Sequence, residues 1–304
     1  MEINMNKDFK SGFCALIGMP NVGKSTLLNA IAGQKIAIIS EKPQTTRNKI
    51  LAVYSAPEAQ IIFTDTPGIH NPHNKLGEYM VKVANESMRD TDVVIFVVDA
   101  SKGIRPKERE IAENIDKLGI PAVLVINKID LIKKEDLLPM IADFSSMNDF
   151  EDIIPISAKE EDGVDSLLSA IKHYLEPGPM FYDENTVTDQ PEKAIAAEII
   201  REKMLWLLDE EIPHGIAIEI TRMREKQRIT EIHATIYCEK KSHKGIIIGK
   251  NGDMLKQIGT LAREDIEKML DKKVYLQLWV KIKTDWRNSD FLIKNFGYKD
   301  DDSI

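Results

Sequence analysis

The sequence has few cysteines and no long apolar run, and each shortage excludes a class of protein. Only two cysteines, Cys14 and Cys238, occur among 304 residues, and they form no CxxC pair. A disulfide framework and a cysteine-based metal site are therefore excluded, and both thiols are expected to be free and buried in a reducing compartment. The longest apolar runs, such as residues 93–98, are far too short to span a bilayer.

Basic residues are also fewer than acidic ones, with 41 Lys/Arg against 49 Asp/Glu. The formal net charge is −8, which argues against a protein that coats nucleic acid with its whole surface. Residues 1–190 hold 20 Lys/Arg against 29 Asp/Glu, whereas residues 191–304 hold 21 against 20. Any nucleic-acid site is therefore expected as a local patch in the later part. Residues 1–12 are polar and lack the apolar core of a secretion signal, so a cytoplasmic protein is predicted.

What the sequence does contain is typical of a globular protein with two domains. Its residues are 43% apolar and 30% charged, and a chain of this length usually divides between two cores. Near-continuous apolar runs predict strands at residues 12–19, 59–68, 92–100 and 121–128. Strands without a polar face belong to a mainly parallel sheet covered by helices. A doubly wound α/β domain is expected, with ligands at the carboxyl ends of its strands.

A polar stretch with several prolines, residues 175–193, interrupts this pattern. We therefore predict a first, α/β domain over residues 1–178, a linker over 179–190 and a smaller α+β domain over 191–304. In the later domain the periodicity predicts the order α-β-β-α-α-β, followed by a C-terminal helix. Trp279, in the last strand, is expected to pack against that helix, and a platform for base stacking is the alternative.

The segment GMPNVGKST (18–26) follows a predicted strand and precedes a predicted helix, which is the context of a phosphate-binding P-loop. Its glycines free the backbone to wrap around phosphates. Lys24 reaches the β- and γ-phosphates, and Ser25 offers its hydroxyl to Mg²⁺. The nucleotide contacts predicted in this loop are Gly18, Asn21, Val22, Gly23, Lys24, Ser25 and Thr26.

Two further segments predict the metal site and the γ-phosphate contact. DTPG (65–68) ends another strand, so Asp65 is placed to hold Mg²⁺ and the Gly68 amide to meet the γ-phosphate. In the preceding loop either Thr45 or Thr46 supplies the threonine that closes on Mg²⁺, and Thr46 is favoured because it adjoins Arg47. The predicted metal ligands are Ser25, Thr46 and Asp65. Taken singly, each segment has an ordinary turn or loop as its alternative.

Two later motifs select the base. NKID (127–130) ends a strand, and the Asp130 carboxylate can accept from both N1–H and the exocyclic amine of guanine, a donor pair that adenine lacks. SAK (157–159) follows another strand and can offer a backbone amide to the guanine O6. The predicted base contacts are Asn127, Lys128, Asp130, Ser157, Ala158 and Lys159. The four motifs together predict binding of GTP and GDP and hydrolysis of GTP.

Ile69 follows DTPG where many signalling GTPases carry a glutamine that positions the attacking water. Hydrolysis is therefore expected to be slow or to use another device. Asn21 is a candidate ligand for a monovalent cation such as K⁺; an equally weighted alternative is that it only hydrogen-bonds the loop backbone. The predicted catalytic residues are Asn21, Lys24, Thr46, Asp65 and Gly68.

A second glycine turn, within KGIIIGKNGDMLK (244–256), lies between two predicted helices and has the form GxxG. In KH modules such a turn clamps the backbone of about four single-stranded nucleotides. Lysines outnumber acidic residues around it, as a phosphate contact requires. The predicted RNA contacts are Lys244, Gly245, Ile248, Gly249, Lys250, Asn251 and Gly252. A plain helix–helix turn is the alternative.

The combination of GMPNVGKSTLLN, QTTR, DTPG, NKID, SAK, KGIIIGKNGDMLK and LWVKIKTDWR resembles the Era family of bacterial GTPases and spans nearly the whole chain. That family joins a GTPase domain to a type II KH domain. The resemblance implies binding to 16S ribosomal RNA near its 3′ end, a role in assembly of the 30S subunit, and peripheral association with the inner membrane. It also implies that Ile69 is no departure, since the family lacks the glutamine. A monomer is expected.

Two other functions fit less well. A metabolic P-loop kinase is disfavoured by NKID and SAK, and the sequence shows no evident pocket for a second substrate. A GTPase whose later domain serves a protein or membrane partner is the alternative, although the GxxG patch favours RNA.

Overall fold

A computed structural model describes residues 8–69, 71–146 and 148–298, which divide into two compact units. The first unit is formed mainly by residues up to Asp189, and the second mainly by residues from Gln190 onward. The segments Ile38–Thr45 and Pro72–Tyr79 group with the second unit. The outer ends of the two predicted domains, residues 1–7 and 299–304, lie outside the described residues. Within the described ranges, no helix combines the length and the apolar character needed to cross a bilayer.

The first unit contains a six-stranded sheet with the order β2-β3-β1-β4-β5-β6. Its elements are β1 (Lys10–Ile17), α1 (Lys24–Ala32), β2 (Ile50–Ala56), β3 (Ala59–Asp65), α2 (Lys75–Arg89), β4 (Val93–Asp99), α3 (Pro106–Asp116), β5 (Ala122–Asn127), α4 (Lys134–Ser145), β6 (Asp152–Pro155) and α5 (Val164–Tyr174). The pair β2–β3 is antiparallel and the other described pairs in this sheet are parallel. The predicted mainly parallel α/β sheet is therefore confirmed.

Alternating side chains of the strands build a core on each face of this sheet. Cys14 and Leu16 of β1 belong to a cluster with residues of α1 and α5. Ala15 and Ile17 belong to a second cluster with residues of α3 and α4. Because both faces are covered by helices, the strands need no polar face, which explains their continuous apolar sequence. Cys14 is free and buried as predicted, and burial raises the pKa of its thiol.

The second unit contains a three-stranded sheet with the order β7-β8-β9. Its elements are α6 (Glu192–Leu207), β7 (Ala217–Glu225), β8 (Thr230–Cys238), α7 (Lys241–Ile248), α8 (Asp253–Leu270), β9 (Val274–Ile282) and α9 (Asp290–Asn295). Strands β7 and β8 pair antiparallel and β8 and β9 pair parallel. The predicted order α-β-β-α-α-β is confirmed. Cys238 in β8 is also free and buried, as expected.

The C-terminal helix packs on a different tryptophan from the one predicted. The ring contact of Trp279 is with His233, at 5.3 Å between centroids. Trp286 is instead fully buried, and its indole N–H donates to the Gly215 carbonyl at 3.0 Å. Its ring also contacts Phe296, which follows α9. Trp279 is left 40% exposed.

Polar side chains of α6 hold the segment Ile38–Thr45 within the second unit. The Ile39 amide donates to the Glu202 carboxylate at 2.9 Å, and the buried Arg201 guanidinium donates to the Thr45 carbonyl. The Trp206 indole N–H donates to the Ile39 carbonyl at 3.0 Å. These bonds explain why a loop that leaves the first unit groups with the second.

Candidate nucleotide and RNA sites

The P-loop joins β1 to α1 at the carboxyl edge of the parallel strands. Gly23 has a left-handed φ of 101° and precedes α1, whose first turn has no acidic residue and no side-chain cap. The free amides at this helix N-terminus favour an anion. A Cβ on Gly23 would lie 2.2 Å from the Asn127 Nδ2 atom, so only glycine fits there.

Lys24 is a buried cation whose hydrogen bonds to other described residues are made with uncharged groups of its own loop. Its Nζ donates to the carbonyl oxygens of Gly18 and Met19, each at 3.2 Å. Burial lowers the pKa of Lys24, and the charge of Asp65 partly opposes that change. Since backbone carbonyls carry no full charge, an incoming phosphate would supply the counter-charge that this ammonium group needs.

Three side-chain oxygens from separate segments meet beside Lys24. The Ser25 hydroxyl donates to Asp65 Oδ2 at 2.6 Å, and the Thr46 hydroxyl donates to the same oxygen at 3.2 Å. The two hydroxyl oxygens are 2.9 Å apart. The Thr45 hydroxyl instead donates to the Lys42 carbonyl at 2.6 Å, so Thr46 is the threonine that reaches the cluster.

This oxygen cluster fits a magnesium ion. Asp65 is fully buried, and its Oδ1 atom has no hydrogen-bond partner among the described residues. Burial raises the pKa of Asp65, while the Lys24 charge and the hydroxyl hydrogen bonds oppose that rise. Oxygen ligands from carboxylate and hydroxyl groups are those that Mg²⁺ takes beside nucleotide phosphates. A bound cation would also neutralise the buried carboxylate.

Gly68 lies directly against the P-loop. A Cβ at this position would be 2.7 Å from the Pro20 backbone nitrogen, so any side chain would displace one of the two loops. The following amide, that of Ile69, donates to the Gly18 carbonyl at 3.4 Å. The predicted γ-phosphate residue is thus held beside the phosphate loop.

Asn127, at the end of β5, connects three of the predicted motifs. Its Nδ2 donates to the Val22 carbonyl at 2.9 Å, and its Oδ1 accepts from the amides of Lys128 at 2.8 Å and Ala158 at 3.0 Å. The side chain is buried. The side-chain amide of Asn127 therefore links the P-loop, NKID and SAK. The backbone N–H of Ala158 already donates to Asn127 Oδ1.

Asp130 is exposed and has its orientation set by Ser157. The Ser157 hydroxyl donates to Asp130 Oδ1 at 2.7 Å. No other hydrogen bond of this carboxylate is seen in the part of the chain that the structure describes. The Asp130 carboxylate is thus positioned by SAK while it stays accessible to a base.

Asp99, which the sequence motifs did not identify, also belongs to this edge of the sheet. It ends β4, and the Lys128 ammonium group donates to its Oδ2 at 2.6 Å and to the Asn21 carbonyl at 2.7 Å. Burial raises the pKa of Asp99, but hydrogen bonds from Lys128 and Ser101 outweigh that effect and hold the pKa below its usual value. The position of Asp99 at the end of the apolar run 93–98 is the sequence signal that could have identified it.

The GxxG turn lies between α7 and α8 in the second unit. Gly249 has φ 74° and a Cβ there would lie 2.7 Å from the Met254 Cβ atom. Gly252 has φ 84° and faces open space. Lys250 and Asn251, between the glycines, are both exposed. The remaining predicted contacts, Lys244, Gly245 and Ile248, lie in α7 immediately before the turn.

Known protein families match both units. The family described as 50S ribosome-binding GTPase matches residues 13–128, and the KH domain family matches residues 211–287. GTPase Era of Ruminiclostridium cellulolyticum is 54% identical over 292 residues, which cover 96% of this chain and 98% of that protein. The chain belongs to the Era family of GTPases. GTPase Era of Clostridioides difficile is 53% identical over 295 residues, covering 96% of this chain and 99% of that relative.

Solved structures of Era agree with this membership. A crystal structure of a variant of Aquifex aeolicus Era bound to GDP·AlF4⁻ superimposes with a TM-score of 0.93 at 42% identity, covering 95% of this chain and 99% of that chain. An Era complex with MgGDPNP and nucleotides 1506–1542 of 16S ribosomal RNA gives the same TM-score, identity and coverage. As an Era-family member, this chain is a GTPase with a KH domain after its GTPase domain.

Proposed function

We propose that this chain is a GTP-hydrolysing switch that binds single-stranded RNA, namely 16S ribosomal RNA near its 3′ end, and assists assembly of the 30S subunit. The observation that carries the proposal is the presence in one chain of the Ser25–Thr46–Asp65 oxygen cluster and of a GxxG turn with exposed Lys250. A 42% identical Era was crystallised with MgGDPNP and 16S ribosomal RNA nucleotides, which supports carrying both ligands over to this chain.

In the first unit, GTP and GDP place their phosphates on the P-loop amides and the N-terminus of α1. Lys24 then exchanges its bonds to the Gly18 and Met19 carbonyls for the β- and γ-phosphates. Ser25, Thr46 and Asp65 hold Mg²⁺, which neutralises charge on the phosphate oxygens when bound. Asp130 accepts from guanine, and Asn127 keeps the surrounding loops in place.

The γ-phosphate is sensed by Gly68 and Thr46. The Gly68 amide reaches the γ-phosphate because glycine allows the loop to lie against Pro20. Thr46 would join Ser25 and Asp65 in holding Mg²⁺ when the γ-phosphate is present. Loss of the γ-phosphate on hydrolysis removes both contacts, so the two loops differ between the GTP and GDP states.

Hydrolysis is slow without help, because Ile69 has no polar group to orient the attacking water. A K⁺ ion held with the participation of Asn21 would add positive charge beside the phosphates. Turnover measured in K⁺ and in Na⁺ tests this role; a faster rate in K⁺ is expected, and equal rates would contradict it.

In the second unit the GxxG turn clamps an RNA backbone. The two glycines let a phosphate approach the backbone, and Lys250 neutralises it. The apolar residues of α7 beside the turn, including Ile248, contact the bases. Ile246 is 50% exposed on the same helix, which leaves apolar surface available for them.

The protein is further proposed to act as a monomer in the cytoplasm with loose peripheral attachment to the inner membrane. The membrane attachment rests on the family resemblance. Sedimentation of the purified chain alone and with lipid vesicles tests both points.

The RNA assignment is tested with the 16S fragment 1506–1542 as probe. Gly252→Asp places a carboxylate at the turn and is expected to abolish binding while basal GTP hydrolysis continues. Gly297→Asp is the matched control, because Gly297 has φ 89° and also faces open space. Equal RNA affinity of the Gly252 variant and the unsubstituted protein would contradict the KH assignment.

A further inference from the structure

On the side of the second unit's sheet that faces away from the core with α6 and α8, Thr235 and Tyr237 of β8 are buried and Tyr237 packs against Phe296, but other residues are exposed. Along β8, Ile232, Ala234 and Ile236 belong to the core with α6 and α8, so the alternating residues lie on the opposite side. The strand registers place residues of β7 and β9 on that side as well. We call six residues there the open sheet face: Arg222, Arg224, His233, Tyr275, Trp279 and Lys281.

Three aromatic rings form a row on the open sheet face. Tyr275 is 51% exposed and Trp279 is 40% exposed. His233 lies opposite Gln277, which separates these two residues along β9. The His233 ring is 6.4 Å from the Tyr275 ring and 5.3 Å from the Trp279 ring. Exposed rings are platforms on which nucleic-acid bases stack, and His233, whose side chain is 19% exposed, lies between the two exposed rings.

The charge on this face is positive, although the chain as a whole is negative. Glu231 is paired with Arg222 at 3.7 Å and with Lys226 at 2.7 Å, so its charge is neutralised. Arg224 and Lys281 are exposed, and neither forms an ion pair with another described residue. Two free cations beside a row of rings match a polymer that alternates phosphates and bases.

We propose that the open sheet face is a second contact surface for the single-stranded RNA that the GxxG turn holds. Bases stack on Tyr275, His233 and Trp279, and phosphates lie against Arg224 and Lys281. This inference rests on the proposed RNA-binding function and extends it to the other side of the sheet. Exposed cations beside aromatic rings favour RNA over a protein partner, because the cations can neutralise phosphates while the rings stack on bases.

The path of the RNA follows from the sheet topology. Ile247 of α7 and Ile258 of α8 lie in the core with the inner side of the sheet, so the GxxG turn is on the helix side. Strands β7 and β9 are the two edges of the sheet, and β9 is the edge strand that α7 contacts. An RNA strand that contacts both surfaces therefore passes the β9 edge and is longer than the roughly four nucleotides that a KH turn clamps.

The test measures the affinity of the full chain for the 16S fragment 1506–1542 over a range of salt concentrations. Trp279→Ala and Tyr275→Ala are each expected to weaken binding about fivefold or more, the effect of losing one stacked base. Trp279→Phe keeps a ring and is expected to restore most of the affinity. Lys281→Ala is expected to make the slope of log affinity against log salt shallower by the amount that one phosphate contact contributes. Trp279→Ala is expected to leave that slope unchanged.

Controls separate this inference from the proposed function. Phe291→Ala removes an aromatic ring that is 73% exposed in α9 and is expected to leave RNA affinity unchanged. If Gly252→Asp weakens binding but Trp279→Ala and Tyr275→Ala do not, the open sheet face is overturned and the KH turn stands. If Gly252→Asp has no effect, the proposed function itself fails. If Trp279→Ala leaves RNA affinity unchanged but abolishes binding of a protein partner, the open sheet face binds protein and the inference is wrong.

Discussion

Replacement of Asp130 by asparagine should exchange guanine preference for xanthine preference. A carboxylate that accepts from two guanine N–H groups makes two charge-assisted hydrogen bonds, each contributing about 1.5–3 kcal/mol. Loss of both amounts to about 3–6 kcal/mol, which corresponds to roughly a 10²- to 10⁴-fold weaker Kd for GDP at tenfold per 1.4 kcal/mol. Xanthine carries an oxygen where guanine carries the amine, so an amide nitrogen can donate to it.

The structure also determines which way the new amide points. The Ser157 hydroxyl donates to Asp130 Oδ1 at 2.7 Å and already accepts from the Glu160 amide at 3.3 Å, so in Asp130→Asn it favours the amide oxygen at the Oδ1 position. The amide nitrogen then takes the Oδ2 position. We therefore expect the double variant with Ser157→Ala to gain less affinity for xanthosine diphosphate than Asp130→Asn alone.

Titration of fluorescent GDP and xanthosine diphosphate into the purified variants measures both effects. Asp165→Asn provides a control with the same substitution, because Asp165 is exposed in the first turn of α5 and belongs to none of the nucleotide motifs. A GDP-to-xanthosine-diphosphate affinity ratio that stays at the unsubstituted value in Asp130→Asn would refute the assignment of this carboxylate to the base.

Three further perturbations probe the phosphate end of the site. Gly23→Ala should weaken GDP binding and lower the melting temperature, because its Cβ would lie 2.2 Å from Asn127 Nδ2; an unchanged GDP Kd would count against this. Thr46→Ala should raise the Mg²⁺ concentration needed for GTP binding whereas Thr45→Ala should not, and the reverse order would reassign the ligand. Asp65→Asn should stabilise the nucleotide-free protein at neutral pH, since burial raises the pKa of Asp65. An aspartate whose pKa is raised in the folded state destabilises that state once the carboxyl group ionises. The stability gained by Asp65→Asn should therefore disappear as the pH falls below the ordinary aspartate pKa. Thermal unfolding of both proteins between acid and neutral pH measures this dependence.

The motifs that touch phosphate and base were predictable because each is local. The P-loop, NKID and SAK are short contiguous segments whose chemistry depends on residue type and on a preceding strand. Their mutual bonds were not predictable, because Asn127 joins Val22 to Ala158 across distant parts of the sequence. Only the strand order of the folded sheet brings these segments to one edge.

The misassigned partner of Trp279 has a similar cause. Period-two alternation shows correctly that Trp279 lies on the opposite side of β9 from the core. Alternation does not show which residue of the neighbouring strand adjoins it, since that depends on the β8–β9 register. That register pairs Gln277 with His233 and so brings the imidazole next to the indole ring.

The bonds of Asn127 also bear on how fast the nucleotide is captured. Because this side chain fastens three loops without any ligand, the pocket is preorganised and little ordering entropy is lost when GTP or GDP arrives. Association should therefore not be slowed by a conformational change of these loops. Because this preorganisation favours GTP and GDP alike, the exchange of GDP for GTP after each turnover should be limited by the release of GDP rather than by the capture of GTP.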